Sequence, residues 1–194
     1  NVQPLENDLD LVRIYRKLGI KIIQLTYHFR NACGDGGIEA LNGDAGLSIW
    51  GHDLVEMLND NHIVVDLAHV GDRTSLQAIK ASKYPVISSH ANPKRLHDVY
   101  QNKTDEVMKA IADSGGVFCL AAFPRMLPNV DSIETYIDQI DYAAKLIGVD
   151  HVGIGTDITE GWDEDPARRA RLIEIDGEIY TWPKGIQKAE DFPN

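Results

Sequence analysis

The sequence has few cysteines, no long apolar run and a shortage of basic residues, and each absence excludes a class of protein. Only Cys33 and Cys119 occur, too few for a disulfide framework or a four-cysteine zinc site, and we expect two reduced thiols. No apolar run approaches the roughly 18–20 residues that span a bilayer. Basic residues number 19 against 30 acidic ones, a net charge of −11, so no nucleic-acid partner is expected.

The beginning of the chain has no basic segment followed by an apolar one, so no signal peptide is predicted, and the sequence assigns no compartment. A chain of 194 residues is long enough for one domain with a hydrophobic core. No linker or low-complexity tract divides it, so we expect a single domain over residues 1–194.

What the sequence does contain is an alternation of short apolar runs with amphipathic stretches. The apolar runs predict five strands, at residues 20–25, 62–67, 85–88, 117–120 and 151–155. Helical spacing predicts five helices, at about residues 8–18, 48–61, 72–82, 104–114 and 132–147. Ser48 is the expected N-cap of the second helix and Gly148 the stop of the fifth. Such alternation indicates parallel β/α units.

Two further segments stand outside this alternation. Residues 31–46 form a loop rich in Gly, Asn and Asp, long enough to suggest a function. The polar stretch from Trp162 onward contains a helical pattern near residues 166–174.

The position of four polar residues distinguishes a closed barrel from an open doubly wound sheet. His28, His69, His90 and Asp157 each lie at the C-terminal end of a different predicted strand. In a barrel the carboxyl ends of all strands meet at one mouth, where catalytic groups gather, whereas an open sheet concentrates its site at one switch point. We therefore predict a (β/α)₈ TIM-type barrel, of which about five β/α units are present here.

His69 and His90 are the residues with the clearest chemistry. Neutral imidazole is a good zinc ligand, and two imidazoles at neighbouring strand ends can reach one ion. Catalytic zinc has three protein ligands and a water, so at least one further ligand must come from elsewhere. Asp66, three residues before His69, is open to two interpretations: support for a metal ligand, or an ordinary salt bridge.

Four segments resemble, in order and spacing, the membrane (renal) dipeptidase family of zinc peptidases. They are Ile22-Ile23-Gln24-Leu25-Thr26-Tyr27-His28, Val65-Asp66-Leu67-Ala68-His69-Val70, Pro85-Val86-Ile87-Ser88-Ser89-His90 and Asp150-His151-Val152-Gly153-Ile154-Gly155-Thr156-Asp157. The resemblance implies a (β/α)₈ barrel with two zinc ions bridged by a glutamate. It implies that His69 and His90 bind one zinc, that His28 contacts the substrate near its scissile carbonyl, and that Asp157 handles a proton. A homodimer is a family-level expectation.

The sequence departs from the family pattern in its metal ligands. The family's His-x-Asp pair and bridging glutamate belong upstream of the matching segment, and no His-x-Asp occurs in the chain. We therefore expect a fragment that holds only part of a two-zinc site. The family's second aspartate after the last strand is also absent, since Thr159 occupies its position behind Asp157 and Ile158.

The residue expected to bind the substrate carboxylate also differs from the family pattern. Gln101 occupies the position, eleven residues after His90, where the family has an arginine that grips the substrate carboxylate. Glutamine donates hydrogen bonds but carries no charge, so it does not reproduce bidentate pairing. Lys94, Arg95, Lys103 and Arg125 are candidates to supply the charge, and the sequence does not choose among them.

Three hypotheses follow. The first is a zinc-dependent dipeptidase that uses a metal-activated hydroxide on a small dipeptide-like substrate, with Gln101, His28 and Asp157 contacting that substrate. The second keeps the barrel and metal but changes the substrate to another small amide, a lactone or a phosphoester, as the altered position 101 suggests. The third is a non-catalytic homologue.

Overall fold

The five apolar runs form five parallel strands in the computed structural model, which describes residues 1–158. The strands are β1 (Ile22–Gln24), β2 (Val64–Asp66), β3 (Ile87–Ala91), β4 (Val117–Leu120) and β5 (Val152–Ile154). They lie in one sheet in the order β1-β2-β3-β4-β5, and every neighbouring pair is parallel. An order without reversal has no switch point, so the parallel β/α architecture is confirmed as a barrel segment rather than a doubly wound sheet.

Five helices alternate with the strands. They are α1 (Leu11–Lys17), α2 (Ile49–Asp60), α3 (Asp72–Ala81), α4 (Asp105–Asp113) and α5 (Glu134–Ile147). Single 3₁₀ turns occur at Gln3–Leu5, Glu39–Asn42, Pro124–Met126 and Val149–His151. None of the helices within residues 1–158 is both long enough and apolar enough to cross a bilayer. The predicted helical pattern near residues 166–174 lies outside the described residues.

Local sequence accounts for the helix boundaries. The Ser48 hydroxyl accepts a hydrogen bond from the Gly51 amide at 2.9 Å, which satisfies one of the free N–H groups at the start of α2. Gly148 ends α5 with φ of 84°, a conformation that a residue without a side chain adopts easily. Consecutive helices α2 to α5 pack against one another over the sheet. Buried Val65, Phe118 and other apolar side chains fill the space between the layers.

The third strand begins at Ile87, two residues later than predicted, and continues through Ala91, so His90 lies at its carboxyl end, as predicted. The pairing of β3 with β4 shifts register between Ser88 and Ala91. Such bulges re-aim side chains and are frequent beside active sites, and this one falls on the residue expected to bind metal.

Candidate metal-binding active site

Three histidine rings from the carboxyl ends of neighbouring strands lie in contact. The ring of His69, which follows β2, is 4.4 Å between centroids from His28, which follows β1. The same ring is 4.8 Å from His90 in β3. Parallel pairing of the three strands aligns their ends and produces this cluster, as the sequence predicted.

The two histidines expected to bind metal point the same ring nitrogen at each other. Nε2 of His69 lies 2.8 Å from Nε2 of His90. His69 is only 7% exposed, and burial, together with nearby His90 and His28, lowers its pKa to about 2. The ring is therefore neutral, which is the form that binds a metal. Two convergent imidazole nitrogens fit the ligand chemistry of zinc.

Within residues 1–158, no group of three or more His, Cys, Asp and Glu side chains is gathered closely enough to hold a metal ion. A metal ion held by His69 and His90 would therefore need further ligands.

Three of the candidate residues have left-handed backbone conformations. The φ angles are 63° at His28, 60° at His69 and 61° at Asp157. Such angles are uncommon for residues other than glycine and cluster at functional sites, where surrounding structure must hold them. Here the loop after β1 does so: the Gly37 amide donates to the His69 carbonyl at 2.8 Å, and the Ile38 amide donates to the His28 carbonyl at 3.0 Å.

Two glycines allow the backbones around the site to approach closely. A Cβ atom on Gly36 would lie 2.3 Å from the carbonyl of His28, and one on Gly155 would lie 1.9 Å from the carbonyl oxygen of Ser89. A side chain at either position would therefore require the contacting backbone segments to move apart. The Gly-rich loop at residues 31–46 thus positions His28 and His69.

Asp157 lies beyond β5 at the same end of the sheet. Its backbone is fixed because the carbonyl of the preceding Thr156 accepts a hydrogen bond from the Ala122 amide at 3.0 Å. Asp157 is exposed; partial desolvation of its carboxyl group raises the pKa, and nearby His90 opposes that shift. The carboxylate therefore belongs to the electrostatic surroundings of the histidine cluster.

Two tyrosine rings, which we did not predict, pack against the histidine cluster. The ring centroid of Tyr27 lies 4.2 Å from His28 and 4.5 Å from His69, and that of Tyr100 lies 5.4 Å from His28. Aromatic rings at these distances pack favourably and restrict the motion of the imidazoles. Tyr27 could have been suspected from its place beside His28, but Tyr100 lies in a long connection without a periodic signal.

Gln101 is buried directly after Tyr100. It is 4% exposed, and its Oε1 atom has no hydrogen-bond partner within residues 1–158. A buried acceptor without a partner is unfavourable, so a ligand with an N–H or O–H group would satisfy it. No hydrogen bond in this part of the chain joins Gln101 to the three histidines.

The four basic residues proposed to supply the charge of the missing arginine lie in different surroundings. Lys94 forms an ion pair with Asp98 at 3.6 Å. Arg95 is exposed. The guanidinium carbon of Arg125 lies 5.5 Å from the centre of the Tyr100 ring, which in turn faces His28. Of these three, Arg125 is the cation that direct contacts connect to the histidine cluster.

The fourth cation, Lys103, is 1% exposed, and its ammonium group donates a hydrogen bond to the carbonyl of Val70. Burial lowers the pKa of Lys103 to about 8, while Asp72 and Asp66 act in the opposite direction. Because lysine is almost never fully buried, the burial of Lys103 could not be predicted from the sequence. This hydrogen bond holds the segment directly after His69.

We expect Lys103 to make the stability of the protein depend on pH. The unfolded chain keeps this proton up to a pKa near 10.4, whereas the folded protein releases it above about 8, so stability should rise between these values by about 2 kcal/mol from pH 7.5 to 9.5. Lys103→Met is expected to remove that rise in denaturant unfolding measured at both pH values. Lys80→Met, on the exposed side of α3, is the matched control. A Lys103→Met variant that keeps the full rise would contradict this assignment.

Parallel strands with imidazoles gathered at their carboxyl ends are the arrangement of a (β/α)-barrel protein. A family model described as membrane dipeptidase (peptidase family M19) matches residues 1–174. The chain belongs to this family, as its four strand-end segments predicted.

Individual relatives agree with the family. The chain is 28% identical over 156 residues to dipeptidase tcpJ of Claviceps purpurea, covering 79% of this chain and 37% of that protein. It is 31% identical over 153 residues to dipeptidase verJ of Clonostachys rogersoniana, covering 78% of this chain and 39% of that protein. The solved structure of an amidohydrolase from Pseudomonas aeruginosa is 39% identical in sequence, with a TM-score of 0.76. The match covers 81% of this chain and 48% of that protein. The chain thus spans about two fifths of the length of these curated relatives.

Proposed function

We propose that this chain supplies part of the active site of a zinc-dependent dipeptidase. The observation that carries the proposal is the convergence of the Nε2 atoms of His69 and His90, 2.8 Å apart at the mouth of the sheet. Family membership and the names of the two curated dipeptidases support the reaction class.

His69 and His90 would hold one zinc ion through Nε2. When bound, zinc makes a hydroxide nucleophile available near neutral pH and polarises a carbonyl group. The remaining ligands, a bridging carboxylate among them, would come from outside the described residues. The buried, neutral state of His69 suits it to this task, because an uncharged imidazole presents a lone pair.

The other residues would handle the substrate. His28, whose ring packs edge-on against His69, is placed to donate a hydrogen bond to the scissile carbonyl as negative charge develops there. Asp157 would accept a proton from the attacking water and pass it to the leaving amine. Arg125, held over Tyr100, is the proposed partner of the substrate carboxylate.

A second candidate keeps the metal but takes a substrate without a free carboxylate, such as another small amide. The buried, unpartnered Oε1 of Gln101 favours it, because this atom requires a hydrogen-bond donor rather than an anion. The similar Pseudomonas structure, described only as an amidohydrolase, is compatible with this reading.

One experiment tests both candidates on the full-length protein. Hydrolysis of unblocked dipeptides and of the same dipeptides amidated at the C-terminus is measured with zinc, after chelation, and after zinc is restored. We expect chelation to abolish turnover and zinc to restore it, with kcat/KM at least about tenfold higher for the free carboxylates. Equal or better turnover of the amides would favour the second candidate. Full activity without metal would refute the zinc proposal.

A further inference from the structure

Asp66 and Ser89 form a chain of hydrogen bonds that ends on the ring of His90. Asp66 is the last residue of β2 and is buried. Its Oδ1 atom accepts from the amides of Ala68 at 3.0 Å and Ser89 at 2.9 Å, and its Oδ2 atom lies 2.6 Å from the Ser89 hydroxyl. Ser89 Oγ in turn lies 2.9 Å from Nδ1 of His90. Within residues 1–158 these hydrogen bonds, rather than a salt bridge, hold the Asp66 carboxylate.

The direction of each hydrogen bond follows from counting protons. Two backbone amides, which can only donate, hold the Asp66 carboxylate as an acceptor. The Ser89 hydroxyl has a single proton and gives it to Asp66, so its oxygen accepts toward His90. The proton of His90 therefore lies on Nδ1, and Nε2 carries the lone pair.

We propose that Asp66 and Ser89 are positioning residues that fix this tautomer of His90 so that its Nε2 atom is ready to bind the metal. The inference rests on the proposed zinc site. The register shift in β3 brings Ser89 and His90 into the arrangement that the chain of hydrogen bonds requires. Outer hydrogen bonds of this kind orient metal-binding histidines and commonly account for 10–100-fold in metal affinity, as an order-of-magnitude estimate.

His69 provides an internal contrast. Its Nδ1 atom has no hydrogen-bond partner within residues 1–158, so no comparable chain fixes its tautomer. In the metal-free protein the 2.8 Å contact between the two Nε2 atoms is then a hydrogen bond that His69 donates and His90 accepts. Only one of the two ligands is prepared by its neighbours.

Asp66→Asn should reverse the direction of the chain. The asparagine oxygen must still accept from the backbone amides, so its NH₂ group faces Ser89 and donates. The serine proton then turns toward His90 and favours the proton on Nε2, which blocks metal binding. We expect zinc affinity of the full-length protein, measured by competition with a chromophoric chelator, to fall about 10–100-fold in Asp66→Asn and in Ser89→Ala. Ser89→Thr, which keeps the hydroxyl, should stay within about threefold of the natural protein.

Ser88→Ala is the matched control, because Ser88 is buried in the same strand and its hydroxyl has no partner in residues 1–158. Nitrogen NMR of the histidine rings in the metal-free protein should show the Nδ1-protonated form of His90 and its loss in Asp66→Asn. If Asp66→Asn does not fold, the zinc affinity of Ser89→Ala compared with that of Ser89→Thr tests the inference instead.

Unchanged zinc affinity together with an unchanged tautomer would overturn the inference, as would a natural protein that binds no zinc. A protein that binds zinc and shows the expected tautomer but hydrolyses no dipeptide would contradict the proposed function alone. Affinity and tautomer are both read without substrate, so the two failures are distinguishable.

Discussion

Replacing His69 or His90 by alanine is expected to lower kcat/KM of the full-length protein for dipeptides by about a thousandfold or more and to remove bound zinc. Zinc stabilises the transition state by several kcal/mol, and each 1.4 kcal/mol corresponds to about tenfold in rate. The two Nε2 atoms face each other, and residues 1–158 contain no group of three or more His, Cys, Asp and Glu side chains that could hold the metal instead. Metal content by elemental analysis and steady-state kinetics check both parts.

The control for the histidine variants is His52→Ala, since His52 is exposed on α2 and removed from the cluster. It should retain full metal content and activity. Either substitution in the pair that left both quantities intact would show that the zinc ligands lie elsewhere.

Asp157→Asn is expected to lower kcat by roughly 10²–10³-fold, with KM and zinc content little changed. The carboxamide keeps the size of the side chain but cannot accept a proton from water or pass one to the leaving amine. The raised pKa of the Asp157 carboxyl group is consistent with such a task, because it brings the proton affinity of the group closer to the working pH.

Asp150→Asn is the comparison for Asp157, because Asp150 is exposed and lies before β5 rather than after it. Loss of zinc in Asp157→Asn would identify the residue as a ligand rather than a proton carrier. A variant with the kcat of the natural protein would remove Asp157 from the mechanism.

Much of the fold could be predicted because the strands and helices carry strong periodic patterns. Each predicted strand and helix within residues 1–158 exists, in the predicted order, and the parallel pairing then brings strand-end residues together whatever the details of the loops. The start of β3 was predicted two residues too early, because hydrophobicity marks Pro85 and Val86 whereas the pairing with β4 begins only at Ile87.

The site was less predictable, because its details depend on tertiary contacts. Sequence spacing does not show that Lys103 is buried, that the Tyr100 ring meets His28, or that Asp66 reaches His90 through Ser89. Each of these depends on side-chain directions and on connections between strands. The identity of the metal, its binding by His69 and His90, and the roles of His28, Gln101 and Asp157 remain predictions.

The left-handed backbone at His28, His69 and Asp157 has a consequence for evolution. A residue other than glycine in this conformation destabilises the fold by about 1 kcal/mol, and glycine or asparagine would relieve much of that strain. A lineage that lost the need for the reaction would gain stability by exchanging any of the three. Under the roles proposed above, we expect active relatives to keep histidine or aspartate at these positions, and relatives that have lost the reaction to carry glycine or asparagine there more often.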